Sequence, residues 1–179
     1  MADAEALLEP LIPALRRYAY ALVRDHDAAD DLVQDTLERA LSRWALRRSD
    51  GDLRAWLFTI QRNLHVSALR QSQRRGAHVE LDEATTPSSA AAQEGGLEVQ
   101  DILAALDQLP EEQKSLLLLV GVEDLSYDDA AKVMGVPIGT VMSRLSRGKT
   151  QLRAALQRED EVAKSKVVPF SGAAGRKQA

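Results

Sequence analysis

The hydrophobic and polar positions of the chain are organised around Leu125 to Leu152, LSYDDAAKVMGVPIGTVMSRLSRGKTQL. Ser126 and Asp129 have the spacing of a capping box, opening a helix over Ala130, Ala131, Val133 and Met134. The small residues at 130 and 131 let a second helix cross close by. Gly135 suits the left-handed conformation that ends a helix, and Pro137 pre-sets the first turn of the next. Ile138, Val141, Leu145 and Leu152 then share one face at helical spacing. The pattern predicts two short helices joined by a tight turn.

The same reading upstream gives more helices. Glu5 to Arg24 is one helix or a broken pair, with Pro10 and Pro13 near its start and Leu11, Leu15, Tyr18, Ala19 and Leu22 inward. Asp25 and Asp27 are N-cap candidates in the polar break that follows. Asp30 to Trp44 carries a broad stripe of Leu32, Val33, Thr36, Leu37, Ala40, Leu41 and Trp44. Ser49-Asp50-Gly51 is a turn. Leu53 to Arg75 packs Leu53, Trp56, Leu57, Ile60 and Leu64 inward. Further on, Leu97 to Leu109 is a helix through Val99, Ile102, Leu103 and Leu106. Pro110, Glu111 and Glu112 start another, which runs through the apolar segment Leu116 to Val120.

Two stretches lack any period. Gly76 to Gly96 is acidic, rich in Ala, Ser, Thr and Gly, and nearly without large apolar residues, which predicts a flexible linker over 76–96. It divides an N-terminal domain, 5–75, from a C-terminal one, 97–158. Residues 159–179 read as a disordered tail. The fold class is therefore all-α, with two small helical domains.

Composition narrows the chemistry. The 179 residues are 45% hydrophobic but only 4% aromatic, as a helical protein rich in Ala and Leu would be. With no cysteine there is no disulfide frame, thiolate metal site or thiol nucleophile. His26, His65 and His78 are scattered, with no partner at metal-ligand spacing. No enzymatic constellation and no cofactor site emerges. No apolar run approaches the roughly 20 residues of a membrane span, and the N-terminus lacks a signal-peptide pattern, so a cytoplasmic protein is expected.

The net charge of −4 conceals a segregation. Acids crowd Asp25 to Glu38, where Asp31, Asp35 and Glu38 recur at i, i+4 and i+7 with Gln34 beside them. That stripe serves either helix stabilisation and solubility or docking on a basic partner. Bases crowd Arg62 to Arg75, where Asn63, Ser67, Arg70 and Arg74 lie within about 60° of one another on a helix. They form either a solvated face or a surface for bases and phosphates. From Pro137 to Arg158 there is no acid, and Arg144, Arg147, Lys149 and Arg153 follow closely. A basic second helix after a tight turn fits the DNA major groove, the alternative being an ordinary helical hairpin. Trp56 and Phe58 are read as core residues before base-stacking platforms, because stacking needs exposure.

Together these pieces resemble an extracytoplasmic-function sigma factor, the small two-domain, group IV class of bacterial initiation factors. The resemblance runs from about Leu11 to Leu156. It rests on DAADDLVQDTLERAL at 27–41, LRAWLFTIQRNL at 53–64, and LDQLPEEQKSLLLL with LSYDDAAKVMGVPIGTVMSRLSRGK between 106 and 149. It implies a region-two domain, a linker and a region-four helix-turn-helix domain. Asp31, Gln34, Asp35 and Glu38 would dock on the β′ clamp helices of core RNA polymerase, with the β flap a further contact. Asn63, Ser67, Arg70 and Arg74 would serve the −10 element. Thr140, Ser143, Arg144, Arg147 and Lys149 would serve the −35 element. The partners implied are core polymerase, promoter DNA and an anti-sigma factor.

Ser67 stands where the family often has Asp or Asn, Asp124 replaces a usual Gly, Ala130 a usual Ile or Leu, and Gly148 a usual Ala. Gly148 would cost about 1 kcal/mol of helix stability and fray the recognition helix near its end. Each DNA-reading helix neutralises few phosphates, so free affinity should be weak and salt-sensitive, and tethering on polymerase should combine the two. The competing readings are a conventional dimeric helix-turn-helix regulator and a sigma-like decoy for an anti-sigma factor. The decoy would carry a phosphorylatable receiver, for which the chain is short.

Overall fold

A computed structural model describes residues 2–47, 51–76 and 96–166. The start of the chain is the broken pair: α1 (Ala2–Leu8), a 3-10 turn over Glu9–Leu11, and α2 (Ile12–Val23). Pro10 and Pro13 each sit in a first turn, where a missing N–H breaks no intrahelical bond. Arg24, at φ 59°, ends α2 in the left-handed region. Asp25 caps the next helix by accepting from the Ala28 N–H at 2.8 Å. With that cap in place, α3 (His26–Ser42) starts ahead of the expected Asp30. It also stops before Trp44, which belongs to a 3-10 turn over Trp44–Leu46.

The long helix α4 (Leu53–Gly76) has two characters. Its first half is core: Ala55, Leu57, Phe58, Ile60 and Gln61 are buried, and the Gln61 amide donates to the Leu15 carbonyl at 3.0 Å. Its second half, from Ser67 to Arg75, is exposed at every residue. Phe58 is fully buried edge-on to Tyr18, and half-buried Trp56 meets Trp44 edge-on. Phe58 is thus closed to any base, as a core residue should be.

In the C-terminal half, α5 (Leu97–Asp107) buries Leu103, Ala105 and Leu106, while Val99 and Ile102 on its other side stay exposed. Pro110 is the N-cap of α6 (Glu111–Gly121), whose Leu116–Leu119 run is buried throughout. Two helices complete the set: α7 (Tyr127–Met134) and α8 (Ile138–Lys166). Val141, Leu145, Gly148 and Ala155 form the buried stripe of α8. Ile138, expected inward, is 39% exposed because it stands at the first residue of the helix.

Two expectations need correction. Gly148 frays nothing, since α8 continues far beyond it. A Cβ at 148 would lie 3.2 Å from the Leu117 Cδ1 and 3.4 Å from the Gln113 Cβ, so the glycine lets α6 approach α8 closely. Nor does order end at Arg158, because α8 runs to Lys166. The linker expected over 76–96 falls, except at its two ends, outside the described residues, as does the tail beyond 166.

Among the described residues there is no strand, and no helix is long and apolar enough to cross a membrane. The two helical domains pack directly on each other, α2 against α6 and α4 against α7.

Candidate functional site

The helix-turn-helix is built as its sequence specifies. Ser126 caps α7 by accepting from the Asp129 N–H at 3.0 Å, and its hydroxyl donates to the Asp129 carboxylate at 2.7 Å. Lys132 donates to the same carboxylate at 2.8 Å. The hydrogen bonds from Lys132 and then Ser126 hold the Asp129 carboxyl below its ordinary range. Gly135 at φ 64° makes the turn.

Beyond the turn, Thr140, Ser143, Arg144 and Arg147 fall on one side of α8. Ser143 donates to the Thr140 carbonyl at 3.1 Å, and Arg147 folds back onto the Ser143 carbonyl at 3.3 Å. Arg144 stands apart, its side chain only 25% exposed and 2.9 Å from the Glu112 carboxylate of α6. Lys149 is exposed but lies roughly half a turn round the helix from Thr140, so it does not share that face.

On α4, Asn63, Ser67, Arg70 and Arg74 are all exposed along the projecting half. Asn63, Ser67 and Arg70 also line a groove of about 350 Å³, whose other wall includes Glu111 and Glu112. On α3, Asp31, Gln34, Asp35 and Glu38 are exposed together, with the Gln34 amide donating to Glu38 at 3.0 Å. The acidic stripe and the basic α8 helix therefore form separate surfaces.

What spacing alone could not show is the polar seam between the halves. Glu123, just after α6, has a fully buried side chain. It receives Arg17 of α2 at 3.1 and 2.9 Å and Arg54 of α4 at 2.9 Å. Only the carboxylate of this cluster is fully buried; removing one arginine leaves it the other, whereas removing both would strand a buried charge. Nearby, Tyr18 and Ser115 share a buried hydrogen bond, and burial drives the Tyr18 phenol well above its usual range. Lys114 donates to Asp107 at 2.6 Å and to the Leu22 carbonyl at 3.2 Å, and His65 meets Glu111 at 3.0 Å. These pairs join residues up to 106 positions apart, so no local pattern announces them.

Comparison with known proteins bears on both halves. Residues 8–61 match a family model described as the sigma2 domain of PhyR, and residues 99–152 match one described as sigma-70, region 4. The chain is 42% identical over 145 residues to the ECF RNA polymerase sigma factor EcfG of Rhodopseudomonas palustris, spanning 81% of this chain and 80% of that protein. Among solved structures it is similar to the sigma factor RpoE of Bartonella quintana, crystallised with the anti-sigma factor NepR. The TM-score is 0.75 at 38% identity, covering 88% of this chain and 98% of that one. It is also similar to CnrH, solved with the cytosolic domain of CnrY, at a TM-score of 0.67 and 25% identity over 87% of this chain and 88% of that one.

Proposed function

Because the chain belongs to the extracytoplasmic-function RNA polymerase sigma factors, we propose that it is a group IV factor that binds core polymerase in the cytoplasm and directs initiation at promoters read through their −10 and −35 elements. The observation that carries this is the pairing of a cationic helix-turn-helix with a separate exposed acidic face on α3. In this reading the N-terminal domain is 5–75, and the C-terminal one starts at 97 and ends in α8. Asp31, Gln34, Asp35 and Glu38 dock on the polymerase clamp, and a β-flap contact lies elsewhere on the chain. Asn63, Ser67, Arg70 and Arg74 meet the −10 region. Thr140, Ser143, Arg144 and Arg147 enter the groove at −35, and Lys149, turned aside, is left to a flanking phosphate.

Sigma factors carry no catalytic group of their own; chemistry belongs to polymerase. The protein's work is positional. Each helix offers few phosphate contacts, so binding by either alone is weak, and mounting both on one polymerase makes the second contact effectively intramolecular. An anti-sigma factor is the expected regulator, since the RpoE relative was crystallised with one. A sigma-like decoy would need docking to an anti-sigma factor but no DNA reader, and the exposed Ser143 and Arg147 support a reader.

Run-off transcription with purified bacterial core polymerase and genomic promoter fragments tests the proposal. Discrete promoter-dependent transcripts are expected only when this protein is added. Their absence, with polymerase active on a control sigma factor, would contradict it.

A further inference from the structure

We infer, resting on the sigma-factor reading above, that Met142 is a specificity-determining residue of the −35 helix and takes the C5-methyl group of a thymine in the major groove. At about 100° per residue, Met142 and Thr140 lie to either side of buried Val141, each about 100° from it. Met142 is the more open of the two, 50% exposed where Thr140 is half-buried. The exposed arc at the start of α8 runs through Met142, Ser143, Ser146 and Arg147, with Thr140 and Arg144 half-buried at its edge. Met142 therefore belongs to the surface that a groove would meet.

Isolated apolar side chains on a surface are ordinary. Met142 is not isolated, since Ile138 stands one turn earlier on the same side of the helix and is 39% exposed. Together they give the start of α8 an apolar strip in contact with water. The thioether chain is unbranched and flexible, so it fits an apolar spot without demanding one geometry.

The surroundings of the strip decide what covers it. Lys149 and Arg153, seven and eleven residues on, return to within about 20° of Met142, roughly 10 and 16 Å further along the axis. No acid stands between Pro137 and Arg158, so this side of the helix suits a polyanion that also offers an apolar spot. In the major groove that spot is the thymine methyl, which no other unmodified base carries. The first residues of a recognition helix reach base edges. Met142, four residues after the Ile138 start, stands at that depth, with Lys149 and Arg153 placed for the bordering phosphates. Its neighbour Arg147 suits guanine and Ser143 suits any base, so a preference for thymine falls to Met142.

The test uses holoenzyme assembled from the full chain and core polymerase, on a promoter that this protein transcribes. Each thymine of the −35 element, on either strand, is replaced in turn by deoxyuridine, which lacks only the methyl group. At one position the replacement should weaken promoter binding by the wild-type holoenzyme about fourfold, the worth of burying one methyl group. Met142→Ala places the best helix former at an exposed site, so the helix should persist. It should lose at least the same factor on the thymine promoter and become indifferent to deoxyuridine at that position. Equal losses in both proteins at every position, or no loss at any, would overturn the methyl contact, as would an element built only of G·C pairs. Failure of Met142→Ala to co-purify with core polymerase would overturn it too, by giving the strip to a protein partner. In each of those cases the wild-type protein still directs transcription and the sigma-factor reading stands. A wild-type protein that directs no promoter-dependent transcription would instead remove that reading, and the thymine contact with it.

Discussion

Single residues carry more of the local design than their types suggest. Asp124 sits at φ 51°, a conformation that costs a residue with a Cβ about 1–2 kcal/mol and aspartate somewhat less. Asp124→Gly should therefore stabilise the fold by about 0.5–1 kcal/mol in urea unfolding; destabilisation would mean that the Asp124 side chain has a structural task. At Gly148 the opposite holds. A valine there must displace Leu117 and should cost about 1–3 kcal/mol, read by the same melt.

Asp129 gives a pH signature. Its carboxyl is held below the ordinary 3.8 by hydrogen bonds from Lys132 and Ser126, so the folded state favours the ionised form. The stabilisation is fully present above that ordinary value and is lost as pH falls through the lower folded one. Asp129→Asn should flatten the acid limb of the stability curve, which thermal melts between pH 2 and 6 would detect; an unaltered limb would show that the cap does not titrate with folding.

At the scale of elements, the sequence was legible wherever its signals were local. The capping serine, the turn glycine and the period of α7 and α8 lie within a few residues of one another, and each appears where its chemistry places it. Boundaries were harder, because α3 gains its first turn from a cap at Asp25 that competes with Asp27. Charged faces were legible as faces but not as partners. Arg144 looks equivalent to Arg147 by spacing, yet only Arg144 leans on α6, 40° from the buried Gly148 position at about 100° per residue. Arg144→Ala with Arg147→Ala should weaken −35-dependent initiation at least tenfold, as loss of one bidentate base contact alone costs about 1–3 kcal/mol. Co-purification with polymerase should persist. Asp31→Lys with Asp35→Lys should do the reverse, abolishing co-purification while leaving −35 duplex binding intact; retained polymerase binding would refute docking through α3.

For the whole molecule, the sequence showed two domains and a break but not their embrace. Linker composition implied domains free to sit apart, whereas Glu123, Lys114 and Ser115 draw them together through contacts that exist only in three dimensions. A glutamate after an apolar helix carries no sign that two distant arginines will bury it.

On the proposed function, the protein reads its two promoter elements only with polymerase bound. DNase I footprinting of a promoter recovered by run-off transcription tests it most directly. With core polymerase, protection should extend over both the −35 and −10 elements, and Arg144→Ala with Arg147→Ala should weaken the −35 part first. The protein alone should leave the fragment unprotected at the same concentration. Strong protection of a palindromic site by the protein alone, unaffected by polymerase, would contradict the account and identify a conventional dimeric regulator.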